Sequence, residues 1–120
     1  MKKKRISEIY QFLAAARMSR MTDEEKSQFI VLLRSMKPVA VEVRNAYADA
    51  LKMALQEYPD NQHKAMELAD ISTKSLMEED VDIDIRTMSD DTFTRLCLSN
   101  DWNFGQIDEL EQELTKSGEK

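Results

Sequence analysis

Only two glycines and two prolines interrupt 120 residues, and that scarcity constrains the fold more than any motif does. Chains turn tightly, or break a helix, most readily at Gly and Pro. Between Pro38, Pro59 and Gly105 lie long stretches rich in Ala, Leu, Met, Glu, Lys and Gln, the residues that lose least on entering a helix. The expectation is a mainly α fold, a helical bundle of about five to six helices with one short β-strand near 81–86. The length suits one helical domain spanning 1–120. A change of character near Met77 offers a C-terminal subdomain, 78–115, that no flexible linker marks. Without Gly-rich turns, the Walker-type and dinucleotide phosphate loops are absent.

Hydrophobic spacing places the helices. Ile6, Ile9, Tyr10, Leu13 and Ala16 fall on one face of a first amphipathic helix, widened by Phe12. Thr22-Asp23-Glu24-Glu25 reads as a capping box with an acidic first turn, so a second helix starts there. Its run Phe29 to Leu33, with Met36, is too wide for one stripe and marks the most buried helix, expected to end near Lys37. Pro38 then either opens a third helix or kinks a continuing one. Ala40, Val43, Tyr47, Ala50, Leu51, Ala54 and Tyr58 trace its inner face, and Pro59-Asp60-Asn61 ends it. Phe29, Leu32, Leu33, Met36, Val43, Tyr47 and Leu51 are the expected core. A further helix runs from about Gln62 to Met77, with Met66, Ala69, Thr73, Leu76 and Met77 turned inward.

At Val81-Asp82-Ile83-Asp84-Ile85-Arg86 the apolar period changes to two, with β-branched residues at every second place. On a strand this pattern sets Val81, Ile83 and Ile85 on one face and Asp82, Asp84 and Arg86 on the other. A lone strand cannot satisfy its own amides and carbonyls. The pairing is expected from a second copy, from another protein, or from an extended piece near Met36 to Val41. Beyond it, Ser89-Asp90-Asp91 caps a short helix with Phe93, Leu96 and Cys97. A loop carrying Asn100, Trp102 and Phe104 leads past Gly105 to a last helix with Ile107, Leu110 and Leu114 on its buried edge.

Few residues suit catalysis. His63 and Cys97 are the only His and Cys, so zinc sites built from those ligands are excluded, and so is an internal disulfide. Cys97, between Leu96 and Leu98, reads as a packed thiol. Asp80, Asp82, Asp84 and Asp91 imitate a calcium loop, but Ile85 stands where the sharp turn needs glycine and the last place lacks the bidentate Glu. No pair of carboxylates is singled out for glycoside chemistry. The eight methionines fit core filling. No catalytic residue, metal or cofactor is expected.

The formal charge of −6 hides a gradient: residues 1–37 carry +5, residues 38–77 carry −2 and residues 78–120 carry −9. Lys2-Lys3-Lys4-Arg5 with Arg17, Arg20, Arg34 and Lys37 is a candidate phosphate-facing surface, and a nucleic-acid-associated regulator is the alternative function. The same N-terminal cluster, with Ala14-Ala15-Ala16, imitates a secretory signal. Ser7, Glu8 and Gln11 break the apolar run such a signal requires, so the expected location is cytoplasmic, with no membrane contact.

Residues 81–114, through Val81-Asp82-Ile83-Asp84-Ile85, Ser89-Asp90-Asp91-Thr92-Phe93, Leu96, Asn100-Asp101-Trp102 and Leu110, resemble small uncharacterised helical proteins of phages and prophages. Such families are often accessory or assembly proteins, and the resemblance implies a role of that kind without supplying a functional residue. The sequence therefore points to a non-enzymatic protein-binding or assembly protein acting through self-association or strand pairing. Its partner is a protein or a second copy, and its expected contact residues are Val81, Ile83, Ile85, Trp102 and Phe104.

Overall fold

A computed structural model describes residues 1–116. Its helices are α1 (Lys3–Ala14), α2 (Asp23–Glu57), α3 (Gln62–Met77), α4 (Asp90–Leu98) and α5 (Phe104–Leu114), so the chain is mainly helical, as the spacing predicts. Each of the four later starts is capped by a side chain, and two of them, at Thr22 and Ser89, by the residues that announce them. Thr22 Oγ1 accepts from the Glu25 amide at 3.1 Å while Glu25 Oε1 accepts from the Thr22 amide at 2.9 Å. Ser89 caps α4 by accepting from the Thr92 amide, and Asn103 and Gln106 form a second capping box on α5. Asn61 caps α3 in the same manner.

Pro38 does not end α2. The helix runs through it to Glu57, which makes one long helix of the two expected. Pro38 is exposed; without an amide hydrogen it leaves the Arg34 carbonyl without its i+4 donor on the solvent side, where water can substitute.

The chain forms two compact units. Met1–Gln11 with Met36–Asp82 make the first, and Phe12–Ser35 with the chain from Ile83 onward make the second. Within the second unit the C-terminal third is grouped with Phe12–Ser35. In the first unit Ile6, Ile9, Met36, Ala40, Val43, Ala54, Ala65 and Ala69 are buried. Ala65, Ala69 and Thr73, four apart, let α3 lie close to its neighbours. In the second, Leu13, Met21, Phe29, Leu32, Ile85, Met88, Phe93, Leu96, Leu110 and Leu114 are buried. Of the expected core, Phe29, Leu32, Met36 and Val43 are buried, whereas Leu33, Tyr47 and Leu51 are half-buried. Met66, expected inside, is exposed. A wide apolar run covers more of a helix than one contact face can, so Ile30 and Val31 are left in solvent.

Residues 81–87 carry neither helix nor strand. Among the described residues the only β-type pairings are isolated bridges, Lys2 with Asp80 (antiparallel) and Met88 with Thr115 (parallel). The expected strand is thus reduced to its ends. Val81 donates its amide to the Met1 carbonyl at 2.8 Å, and the Met88 amide reaches the Leu114 carbonyl at 3.1 Å. The partner of Val81 is Met1, not the 36–41 stretch, which is helical. No helix among the described residues is long and apolar enough to cross a membrane.

Candidate functional site

The connection between α4 and α5 holds the most exposed large apolar side chains of the second unit: Leu98 is 68% exposed and Phe104 80%. Exposure alone means little, because single apolar residues are common on surfaces. What distinguishes this turn is how firmly it is held. The Asn100 side chain accepts from the Arg17 amide at 2.8 Å and donates to the Arg17 carbonyl at 2.9 Å, copying a strand-like pair, and also donates to the Leu96 carbonyl. Ser99 Oγ accepts from the Arg20 amide at 2.9 Å and donates to the Arg95 carbonyl at 2.8 Å. Trp102 is half-buried, its ring 5.1 Å from that of Phe12 and tilted by 43°, a favourable aromatic arrangement. The Asn103–Gln106 box then fixes the backbone leading into Phe104. Leu98 and Phe104 are therefore presented by a tied-down scaffold, so little ordering entropy is lost when they are covered. Charges of both signs, Arg17, Arg20, Asp101 and Asp108, all exposed, lie on or are hydrogen-bonded to this region.

The five residues expected to contact a partner fare differently. Trp102 and Phe104 come together at this turn. Val81 is half-buried with its amide already bonded to Met1, and Ile83 is half-buried. Ile85 is 2% exposed, so its side chain fills the core of the second unit and cannot meet another molecule. The period-two pattern correctly alternates exposure, since Asp82 and Asp84 are in solvent, but its apolar side is covered by the chain itself. Leu98 was not legible as part of the patch; it follows Leu96 and Cys97 and reads as core until the helix ends at its own position.

A second feature of this unit was half-seen in the sequence. Glu25, chosen for its capping role, is buried and also receives Arg95, with Nε at 2.8 and 3.0 Å and Nη2 at 2.6 Å, and the Thr92 hydroxyl at 2.6 Å. These bonds to Arg95 and Thr92, then to the Thr22 amide, hold the Glu25 carboxyl well below the usual carboxylate range. The cluster ends a groove of about 530 Å³ along the first half of α2, with Phe29, Leu32 and Met88 in its wall. All oxygens of Glu25 are occupied, so the group serves to anchor α4 to the start of α2 rather than to bind.

The residues weighed for catalysis stand apart. His63 is exposed at the start of α3. Burial pushes the half-buried Cys97 thiol up, and the Glu111 charge adds to the effect, which is the reverse of an activated nucleophile. Among the described residues no three His, Cys, Asp or Glu side chains are grouped so as to hold a metal ion. The candidate phosphate-facing cations divide between the units: Lys2 to Arg5 and Lys37 lie in the first, Arg17, Arg20 and Arg34 in the second. Lys3 is already paired, with Glu42 at 2.6 Å and Glu79 at 3.6 Å. The chain matches no family model, no curated protein and no solved structure.

Proposed function

We propose that this chain is a non-enzymatic assembly protein that self-associates through the α4–α5 turn. The observation that carries the reading is the pairing of high exposure at Phe104 and Leu98 with a scaffold that fixes them. Aromatic residues so presented are the usual anchors of protein interfaces. A second copy is favoured over an unrelated partner by the rim. A two-fold interface brings each residue's surroundings against those of its copy, and a rim with Arg17 and Arg20 beside Asp101 and Asp108 can complement itself. The resemblance of residues 81–114 to small phage and prophage proteins implies an accessory or assembly role. The alternative, nucleic-acid binding through the N-terminal basic residues, loses support from the commitment of Lys3 to two carboxylates.

Sedimentation equilibrium over a wide concentration range tests this. The wild type should associate reversibly, and Phe104→Ser should weaken association at least tenfold with unchanged helix content, since an exposed side chain contributes little to the fold. High salt should weaken it less than the Phe104 change does. A wild type that stays monomeric near millimolar concentration, or a Phe104→Ser variant that associates as well, refutes the proposal.

A further inference from the structure

The first unit contains an open cleft of about 650 Å³ between α1, α2 and α3, within the size range of small-molecule sites. Six charged side chains line it in equal numbers of each sign: Lys4, Arg44 and Lys74 against Glu8, Asp70 and Glu78. Lys4 and Glu8, and Asp70 and Lys74, are each four apart on a helix, the spacing at which opposite charges commonly pair, and Glu78, the C-cap of α3, follows Lys74 by four. Yet among the described residues none of the six makes an ion pair. On the α1 wall Ser7 is 3% exposed. Its hydroxyl is partnered by Gln11 Nε2 at 3.5 Å, a long hydrogen bond. So long a bond leaves room for a better partner, and the hydroxyl borders a cleft in which an acceptor could sit.

We infer that this cleft binds a small zwitterion of the amino-acid class. An anion alone would meet Glu8, Asp70 and Glu78, and a cation alone would meet Lys4, Arg44 and Lys74, so either is repelled by as many groups as attract it. A ligand carrying a carboxylate and an ammonium satisfies both sets at once. Its carboxylate can accept from the Ser7 hydroxyl, with Lys4 one turn before it on α1. Tyr47, Val43 and Met77 supply apolar surface for a side chain. This site is independent of the α4–α5 turn and does not rest on the association proposed there.

The test is amide chemical-shift mapping on the full chain, titrated with each common free L-amino acid, with acetate and methylammonium as probes of one sign each. At least one amino acid should give saturable shifts at Ser7, Tyr47 and Thr73, at concentrations at least tenfold below any response to acetate or methylammonium. Ser7→Ala and, separately, the exposed Arg44→Gln should each weaken that binding several-fold while the melting temperature without ligand holds; Arg44→Gln keeps the test sound if the buried Ser7 change disturbs the fold. Absence of saturable shifts with every amino acid, or equal binding of acetate, overturns the inference.

Discussion

Replacing Glu25 with Gln keeps the side chain's shape and removes its charge, which makes it a direct probe of the anchor between α2 and α4. In the native chain Oε1 accepts from the Thr22 amide and from Arg95 Nε, and Oε2 accepts from the Thr92 hydroxyl and from Arg95. An amide can present only one oxygen, so its NH2 must face a donor. Thr92 can turn its hydroxyl, but Arg95 then loses a carboxylate partner. Arg95 is 40% exposed at its side chain, and water recovers much of what it loses, so the ion pair itself is discounted toward surface values. What remains is the lost charge-assisted bonding of a buried carboxylate, about 2 kcal/mol. The pH dependence carries the sharper test. The Glu25 carboxyl titrates below its ordinary range in the folded chain, so its stabilisation is complete above about pH 5, where the unfolded carboxyl is also ionised, and is lost as pH falls through the folded value. Urea unfolding of wild type and Glu25→Gln at pH 7 and pH 3 should give a difference that shrinks by about 1 kcal/mol at the lower pH. A difference below about 0.5 kcal/mol at pH 7, or one that does not change with pH, would refute the account.

Two further expectations follow from single positions. Pro38→Ala restores the donor to the Arg34 carbonyl inside α2 at an exposed site; it should stabilise by about 2 kcal/mol, the interior cost of Pro less its restriction of the unfolded chain, read as a higher urea midpoint at unchanged slope. Equal or lower stability would mean that the proline serves the geometry of α2. Cys97, whose thiol is pushed up by burial and by Glu111, should react with iodoacetamide at pH 7.5 at least several-fold more slowly than a free thiol, and urea should abolish the difference. Reaction at the free-thiol rate in the folded protein would remove the packed reading of this residue.

The helices were legible because their signals are local. Thr22 with Glu25, and Ser89, mark their helix starts within three residues and can be read without knowing the fold, whereas Asn103, which forms the box on α5 with Gln106, reads from the sequence as part of a loop. The second half of Glu25's role was not legible, because Arg95 lies 70 residues away and nothing near either residue marks the other. Pro38 was ambiguous for a related reason. Its sterics weaken a helix, but whether the helix survives is decided by packing on both sides, and Met36, Ala40 and Val43 are all buried. Burial of that face outweighs one missing hydrogen bond. One contact joins the two ends of the charge gradient, since Lys3 of the basic start meets Glu79 of the acidic stretch.

Residues 81–86 show how a correct pattern led to the wrong element. A period of two records which side chains are covered, and the exposure of Asp82 and Asp84 beside buried Ile85 agrees with it. It does not record how the backbone is satisfied. A strand needs a neighbour along its length, whereas here the amides are met piecemeal: Val81 by Met1, Arg86 by the carboxylate of Asp84 two residues earlier, Met88 by Leu114. Short-range acceptance by an Asp side chain competes with ladder pairing and favours a local turn of the chain. The apolar side of the segment is consumed internally at Ile85, so the surface left to explain association moves to Leu98 and Phe104. These two residues obey no period, because one ends a helix and the other begins the next. An interface placed at a turn is silent to periodicity and becomes visible only when the hydrogen bonds of Ser99, Asn100 and Asn103 fix which side chains the turn holds out.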